Sequence, residues 1–569
     1  MAGEGGVAAA AQADRQGPMI VSVGQVSFLL TYLWALGLYF YSLALHQKRT
    51  TRALSKAHLS DVQLPEFDSA SKGGESTPLV SPEGRGSDSA PEHAVHSSQK
   101  LGFFQDAASS GLIKCVLLDQ QALLDAKDTL QAIVEFGTIM VWFFLCDRTD
   151  LLPASEKHYE RDVFLFIFLV LTIVAFGYSL QPVRTTLLLN RPQTEEWKGW
   201  MQVLFLLYHY FEAREAYNAI RIFIAGYVWM TGFGNFSYYY RTGDFGIGRF
   251  CQMMWRLNFM VFFTCVVLQN EYMLYYICPM HTLFTIMVYG ALALAPQLNK
   301  SHPWLWAKIL GCLVTVLVFW DIKSVFYALW TPFDFLMGYT DPRKSDNDRL
   351  HEWYFRSSLD RFIWVYGMAC AMLHPYASKA LTAIDEMPPP RRWTVRAAVV
   401  AATCAVFAVY YRSIYVLPKI EYNKVHAYTS WIPLTCWMIV RNMTPALRTW
   451  SMRLYGWLGC ITLETYLSQF HIWLRSSVPN GQARWGTPKF LLTIIPGYPL
   501  LNFAACTAMY VFVSHRLFLL TLVLKDAAVP HDNNRVLARN LVLMGLMLVV
   551  CTTMGFVLHS TGLLWLASR

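Results

Sequence analysis

Two ionisable side chains sit inside an apolar stretch near the carboxyl end. Gly456 to Leu474 reads GWLGCITLETYLSQFHIWL and carries Glu464 and His471. On a helix, residues seven apart share a face, so Ser468 lies between them and Arg475 continues the stripe. An ionisable residue at bilayer depth is costly and usually faces a bundle interior or a wet cavity. A carboxylate beside an imidazole is the base-and-orienter arrangement of general acid–base catalysis. Against it stands a plain tie between helices, and on spacing alone the tie is favoured.

Three further stretches concentrate polar groups. Phe205 to Asn235, FLLYHYFEAREAYNAIRIFIAGYVWMTGFGN, holds His209, Glu212, Arg214, Glu215 and Arg221. Arg214, Asn218 and Arg221 fall on one helical face, suited to an anionic substrate because guanidinium binds phosphate bidentately. An interfacial turn with solvated groups weighs equally. Tyr239 to Asn258, YYRTGDFGIGRFCQMMWRLN, crowds Arg241, Asp244, Arg249 and Arg256 around a Gly-containing turn. It reads as a phosphate-binding rim or as a cytosolic loop obeying the positive-inside rule. GDFGIG lacks the strand of a dinucleotide fingerprint. Lys424 to Asn442 places His426 before a span, Arg441 after it and Pro433 inside it. A broken helix at membrane depth often lines a site, though an ordinary Pro kink explains it as well. His281, behind Pro279 in YYICPMH, reads as a packed histidine. No GxSxG motif is present.

The elements that must hold these residues are membrane helices. The chain is 55% hydrophobic and only 15% charged over 569 residues, where soluble domains carry nearer a quarter charged residues. The reading is all-α, a polytopic membrane protein of roughly 12–14 transmembrane helices, each needing about 20 apolar residues. The spans fall at 20–45, 130–147, 163–181, 199–216, 217–238, 255–271, 272–295, 304–326, 358–376, 396–417, 428–441, 454–474, 490–524 and 538–566. Residues 1–45 form a luminal end and the first span. Residues 46–100, rich in Ser, Gly and Pro, form a disordered linker. Residues 101–569 form the multi-helix domain, opening on an amphipathic stretch, Leu101 to Leu130. The bases at His46 to Lys56 put the amino terminus in the lumen and the linker in the cytosol. The net charge of +9 belongs to loops, helix ends and membrane lipids rather than to nucleic acid. The twelve Cys are scattered without zinc spacing, so no metal site is expected.

YHY at 208–210, IRIFIAGYVWMTGFGNFSYYYRTGDFGIGRFCQMMWRLNF, HAYTSWIP and LETYLSQFHIWL come in this order. Together they resemble the polytopic acyltransferase domain of the sialic-acid and capsule-polysaccharide O-acetyltransferases. The likeness runs from about residue 100 to the carboxyl end. Animal members place a luminal SGNH esterase domain after the first span. A short linker in that place resembles the reduced-wall-acetylation proteins of plants.

The resemblance implies a Golgi protein that uses cytosolic acetyl-CoA to O-acetylate cell-wall polysaccharides such as xylan. Luminal trichome-birefringence-like transferases would be its partners. By motif it carries over His209, His426, Glu464 and His471 as catalytic candidates, and Arg221, Arg249 and Arg441 as donor contacts, with Arg214 beside them. Asn235 stands where animal members are expected to have His. In the mechanism that follows, the arginines form one cationic mouth for the CoA phosphates, a His serves as base or acyl carrier, and Glu464 fixes its tautomer. The rival is a transporter of acetyl-CoA or another acetyl donor, and a scaffold for luminal transferases is the bland third reading. Of the sequons at Asn235, Asn299 and Asn442, only Asn299 is a serious glycan acceptor.

Overall fold

The computed structural model describes residues 21–62, 114–115, 118–185, 187–340, 348–476, 479–480, 490–531 and 533–561. It forms two compact units, Met1–Phe28 with Phe136–Arg569, and Leu29–Glu135. In the smaller unit Leu38, Cys115, Leu123 and Leu130 form a core, and Ser42 Oγ donates to the Leu123 carbonyl at 2.9 Å. Asp119 caps its short helix Gln120–Asp125 by accepting from the Ala122 amide. The first helix, α1 (Val23–Val62), continues past the boundary expected at Leu45. Most of the expected linker, residues 63–100, lies outside the described residues.

The larger unit is helical. Its long elements are α2 (Lys127–Arg148, begun in the smaller unit), α3 (Arg161–Ser179), α4 (Arg191–Phe211), α5 (Tyr217–Thr242), α6 (Ile247–Leu268), α7 (Ile277–Ala293) and α8 (His302–Val316). There follow α9 (Ile363–Asp385), α10 (Pro389–Tyr410), α11 (Lys419–Thr429), α12 (Trp431–Asn442), α13 (Arg453–Cys460), α14 (Thr462–Ile472), α15 (Pro499–Ala528) and α16 (Asn534–Ser560). Among the described residues, eight helices are long and apolar enough to cross a membrane: α1, α2, α3, α6, α8 with its π turn, α10 with its own, α15 and α16. The more polar passes are α4, α5, α7, α9 and two broken ones. They hold the buried Glu196, Gln202, Arg221, Asn235, His426, Glu464, Gln469 and His471. Polar groups in a bilayer need partners within the protein, which places these helices in the interior.

Two expected spans are broken. The 428–441 pass is α11 followed by α12, parted at Ser430 rather than at Pro433. The opening stretch is α13 followed by α14, parted at Ile461. The interior helices approach closely through glycine. A Cβ on Gly199 of α4 would strike the Tyr455 carbonyl of α13, and one on Gly459 would strike the Glu195 carbonyl. Gly232 of α5 and Gly367 of α9 are locked against each other's helix in the same way.

Small sheets close the two ends. β1 (Ala154–Glu156), β4 (Leu474–Arg475) and β5 (Phe490–Leu492) form an antiparallel sheet in the order β1-β5-β4, with Ser155 opposite Leu491 and Leu474 opposite Leu491. β2 (Leu180–Pro182) pairs with β3 (Trp450–Met452). The 19 residues of α3 separate them, about 28 Å at 1.5 Å per residue. The first sheet's end gathers the carboxyl ends of α2, α4, α6 and α14. The second sheet's end gathers the start of α4, the close of α5 and the start of α6.

Candidate active site

At the first end, α14 delivers His471 against Asp147 from the last turn of α2. The imidazole Nδ1 lies 2.8 Å from Asp147 Oδ2, and both residues are almost wholly buried. On the other side Nε2 lies 2.6 Å from the Tyr275 hydroxyl. Donor logic assigns the protons. Asn270 Oδ1 accepts from Arg148 Nη2 at 3.0 Å and from the Asn480 amide at 2.8 Å, so its Nδ2 faces Tyr275 and donates to that hydroxyl at 2.9 Å. The Tyr275 proton then goes to His471 Nε2. His471 is therefore protonated on Nδ1, which donates to Asp147, and carries its lone pair on Nε2.

Asp147 remains a carboxylate because donors surround it. Arg148 Nη1 donates to Oδ2 at 2.6 Å, and the Ser476 amide donates to Oδ1 at 2.7 Å. A buried ion pair survives only when its remaining lone pairs and protons are met. Arg148 Nη2 is also held, by the Leu268 carbonyl at 3.0 Å. Phe143 and Phe470 flank the imidazole, with ring centroids 5.7 and 6.2 Å away.

Glu464 does not share this centre. It forms a two-pronged ion pair with Arg256 of α6, with Nη2 to Oε2 at 2.9 Å. The guanidinium also lies over the Phe518 ring, 5.0 Å from its centroid. Seven helical residues, about 10 Å, separate Glu464 from His471. The expected Glu464–His471 pair is thus corrected: they share a helix and stripe, but Arg256 takes the carboxylate and Asp147 takes the imidazole.

His426 and Arg221 come together through a residue that spacing did not reveal. Arg221 Nη2 donates to Asp360 Oδ2 at 2.7 Å, and His426 Nε2 stands 3.5 Å from Asp360 Oδ1. His426 Nδ1 meets the Tyr422 hydroxyl at 3.1 Å. All three are buried, so this second His–Asp–Arg cluster ties α5, the turn before α9, and α11. His209 ends α4 at the same end, its carbonyl accepting from Lys157 Nζ at 2.7 Å. Its ring lies 6.0 Å from that of Phe470, so His209 and His471 flank one aromatic ring.

The arginines do not form a single mouth. Arg214 is exposed and paired with Glu212 at the first end. Arg221 is buried there. Arg249 and Arg441 lie at the opposite end. Arg441 is taken by Glu196 at 3.3 Å and by the carbonyls of Leu447 and Trp450. Arg249 instead lines a cavity of about 520 Å³ with Arg191, Asn235, Tyr238 and Arg241. Its guanidinium rests over the Tyr238 ring at 4.7 Å. The Tyr238 hydroxyl donates to Asp244 at 3.0 Å. The Gly246 amide, then that hydroxyl, hold the Asp244 carboxyl below its usual range. His281 is a packed histidine, its Nδ1 2.6 Å from Thr231 Oγ1.

Sequence reasoning missed Asp147, Asp360 and Tyr275. Both aspartates were legible as Asp-Arg dipeptides at the edge of an apolar run, LCDR after one and SLDR just before one. Tyr275 gave no signal among so many aromatics.

Comparison with known proteins bears on the domain as a whole. Residues 100–542 match the family described as the 10 TM acyl transferase domain found in Cas1p. The chain is also 32% identical over 450 residues to the N-acetylneuraminate (7)9-O-acetyltransferase of Danio rerio, covering 76% of this chain. It spans only 54% of that relative's length. No solved structure matches it. With most of its length inside the family's domain, the chain belongs to the polytopic acyltransferases of the Cas1p type.

Proposed function

We propose that this protein is a Golgi membrane O-acetyltransferase of the reduced-wall-acetylation kind. It takes acetyl groups from cytosolic acetyl-CoA and supplies them for O-acetylation of cell-wall polysaccharides such as xylan. The acceptor is the polysaccharide itself or a luminal trichome-birefringence-like transferase. The observation that carries the reading is His471, a neutral imidazole held at Nδ1 by Asp147 with Nε2 turned to a hydroxyl. That is the geometry of a general base for hydroxyl groups. Asp147 fixes the tautomer and stabilises the imidazolium formed when Nε2 takes a proton. Arg148 keeps that carboxylate ionised.

Arg191, Arg241 and Arg249 are the proposed seat of the CoA phosphates, since guanidinium suits phosphate and the cavity opens among them. One observation favours the rival, a transporter of acetyl-CoA or another acetyl donor. The cavity and His471 stand at opposite ends of α6, about 28 Å apart along its axis, further than a pantetheine arm reaches, so in the enzyme reading the cavity is a donor entry site from which the thioester has to travel along the bundle to meet His471. Purified protein given acetyl-CoA labelled in both halves separates the two. In sealed vesicles, transfer leaves free CoA on the cavity's side and acetyl on an acceptor, whereas transport carries the intact donor across. Failure of wild-type protein to release CoA, with and without xylo-oligosaccharide, would sink the enzyme reading.

A further inference from the structure

Tyr275 closes a short 3-10 helix, Tyr272–Tyr275, that leads into α7. Its side chain is fully buried and its hydroxyl is held twice, by Asn270 Nδ2 at 2.9 Å and by His471 Nε2 at 2.6 Å. An orienting role for this contact is redundant, because Asp147 already fixes the imidazole through Nδ1. A hydroxyl seated on Nε2 also occupies the one atom that a base needs free. In a nucleophile–base–carboxylate constellation, that seat belongs to the nucleophile.

We propose that Tyr275 is the acyl-accepting nucleophile, with His471 as its base and Asp147 as the orienter. The inference rests on the O-acetyltransferase reading. In the first step the Tyr275 proton passes to His471 Nε2 and the phenolic oxygen attacks the carbonyl carbon of an acyl thioester. The carbon–sulfur bond breaks, and the thiolate leaves with the proton held by His471. An aryl ester remains on Tyr275. In the second step an acceptor hydroxyl gives its proton to Nε2, and its oxygen attacks the ester carbon. The bond from carbon to the phenolic oxygen breaks, and Tyr275 recovers the proton. Asn270 Nδ2 stays on the phenolic oxygen and assists its departure.

The chemistry suits the residue. With its proton passing to His471 as the bond forms, a phenol is a far better leaving group than an alcohol. An acyl group on tyrosine therefore keeps most of its transfer potential and moves readily to a sugar hydroxyl. The Phe470 ring lies 5.9 Å from that of Tyr275 and 6.0 Å from that of His209. This aromatic wall shields the ester from water.

The test uses full-length protein in detergent with radiolabelled acetyl-CoA and no acceptor, acid-quenched and mapped by peptide mass spectrometry. The expected result is a burst of about one equivalent of free CoA and acetyl on Tyr275. Neutral hydroxylamine should remove that acetyl, as it does from aryl esters. Tyr275→Phe should lose burst and label together. Acetyl on His471, or a burst undiminished in Tyr275→Phe, overturns the proposal. So does wild-type protein that turns over with xylo-oligosaccharide yet never carries label, a result that leaves the acetyltransferase reading standing. No CoA release under any condition overturns both. The map of wild-type protein decides the matter even where the variant fails to fold.

Discussion

A buried charge has to be met by a partner, and the two ends of α14 meet theirs differently. Glu464 neutralises Arg256 and spans α6 to α14, which is a structural task. Substituting Glu464→Gln keeps the shape but leaves a half-buried guanidinium without its counter-charge. The expected cost is about 1–3 kcal/mol of stability, read as a lower unfolding midpoint in detergent. CoA release per folded molecule should stay within a few-fold of wild type. A complete loss of turnover at an unchanged midpoint would return Glu464 to the chemistry. At this scale sequence spacing put Glu464 and His471 on one stripe and paired them with each other, whereas the structure gives each a separate partner, Arg256 and Asp147. A helical face says which residues of one helix look the same way. It does not say what the neighbouring helices bring, and Asp147 and Arg256 both come from neighbours.

At the scale of elements, hydropathy located most passes because the bilayer demands long apolar runs. It misjudged the interior ones. α13 and α14 read as one span since a break at Ile461 leaves no mark in composition. The close packing of α4 on α13 was equally hidden, because Gly199 and Gly459 reveal their purpose only beside the opposing carbonyls. Gly459→Val should therefore disrupt that contact. Overpacking of this kind costs roughly 1–3 kcal/mol or more, and a fluorescence-monitored melt should show it. Gly456→Val, on the same helix but with open space where the Cβ would stand, is the control and should melt close to wild type. Equal midpoints for the two variants would contradict the packing.

For the whole molecule, orientation decides what each end can meet. Gln25, near the start of α1, donates to the Val267 carbonyl at 2.7 Å. The start of α1 thus lies at the His471 end. The positive-inside rule expects the amino terminus on the side away from the cytosol; on that expectation His471 would stand on the same side and the Arg249 cavity on the cytosolic one. Asn299, in the turn between α7 and α8, then faces the cytosol. It should remain without glycan when the chain is expressed in cells, so Asn299→Gln and glycosidase treatment should leave gel mobility unchanged. A shift on either treatment would invert the orientation.

The central claim is that the hydroxyl-activating centre is His471 held by Asp147. Its most direct test is CoA release by purified Asp147→Asn, measured beside its acetyl-CoA affinity. An amide at this position lets the imidazole settle in the wrong tautomer. Turnover should fall by about 10³–10⁴-fold, as when the carboxylate of a catalytic triad is replaced, while donor affinity at the distant cavity stays within a few-fold. Release of CoA near the wild-type rate would contradict the account.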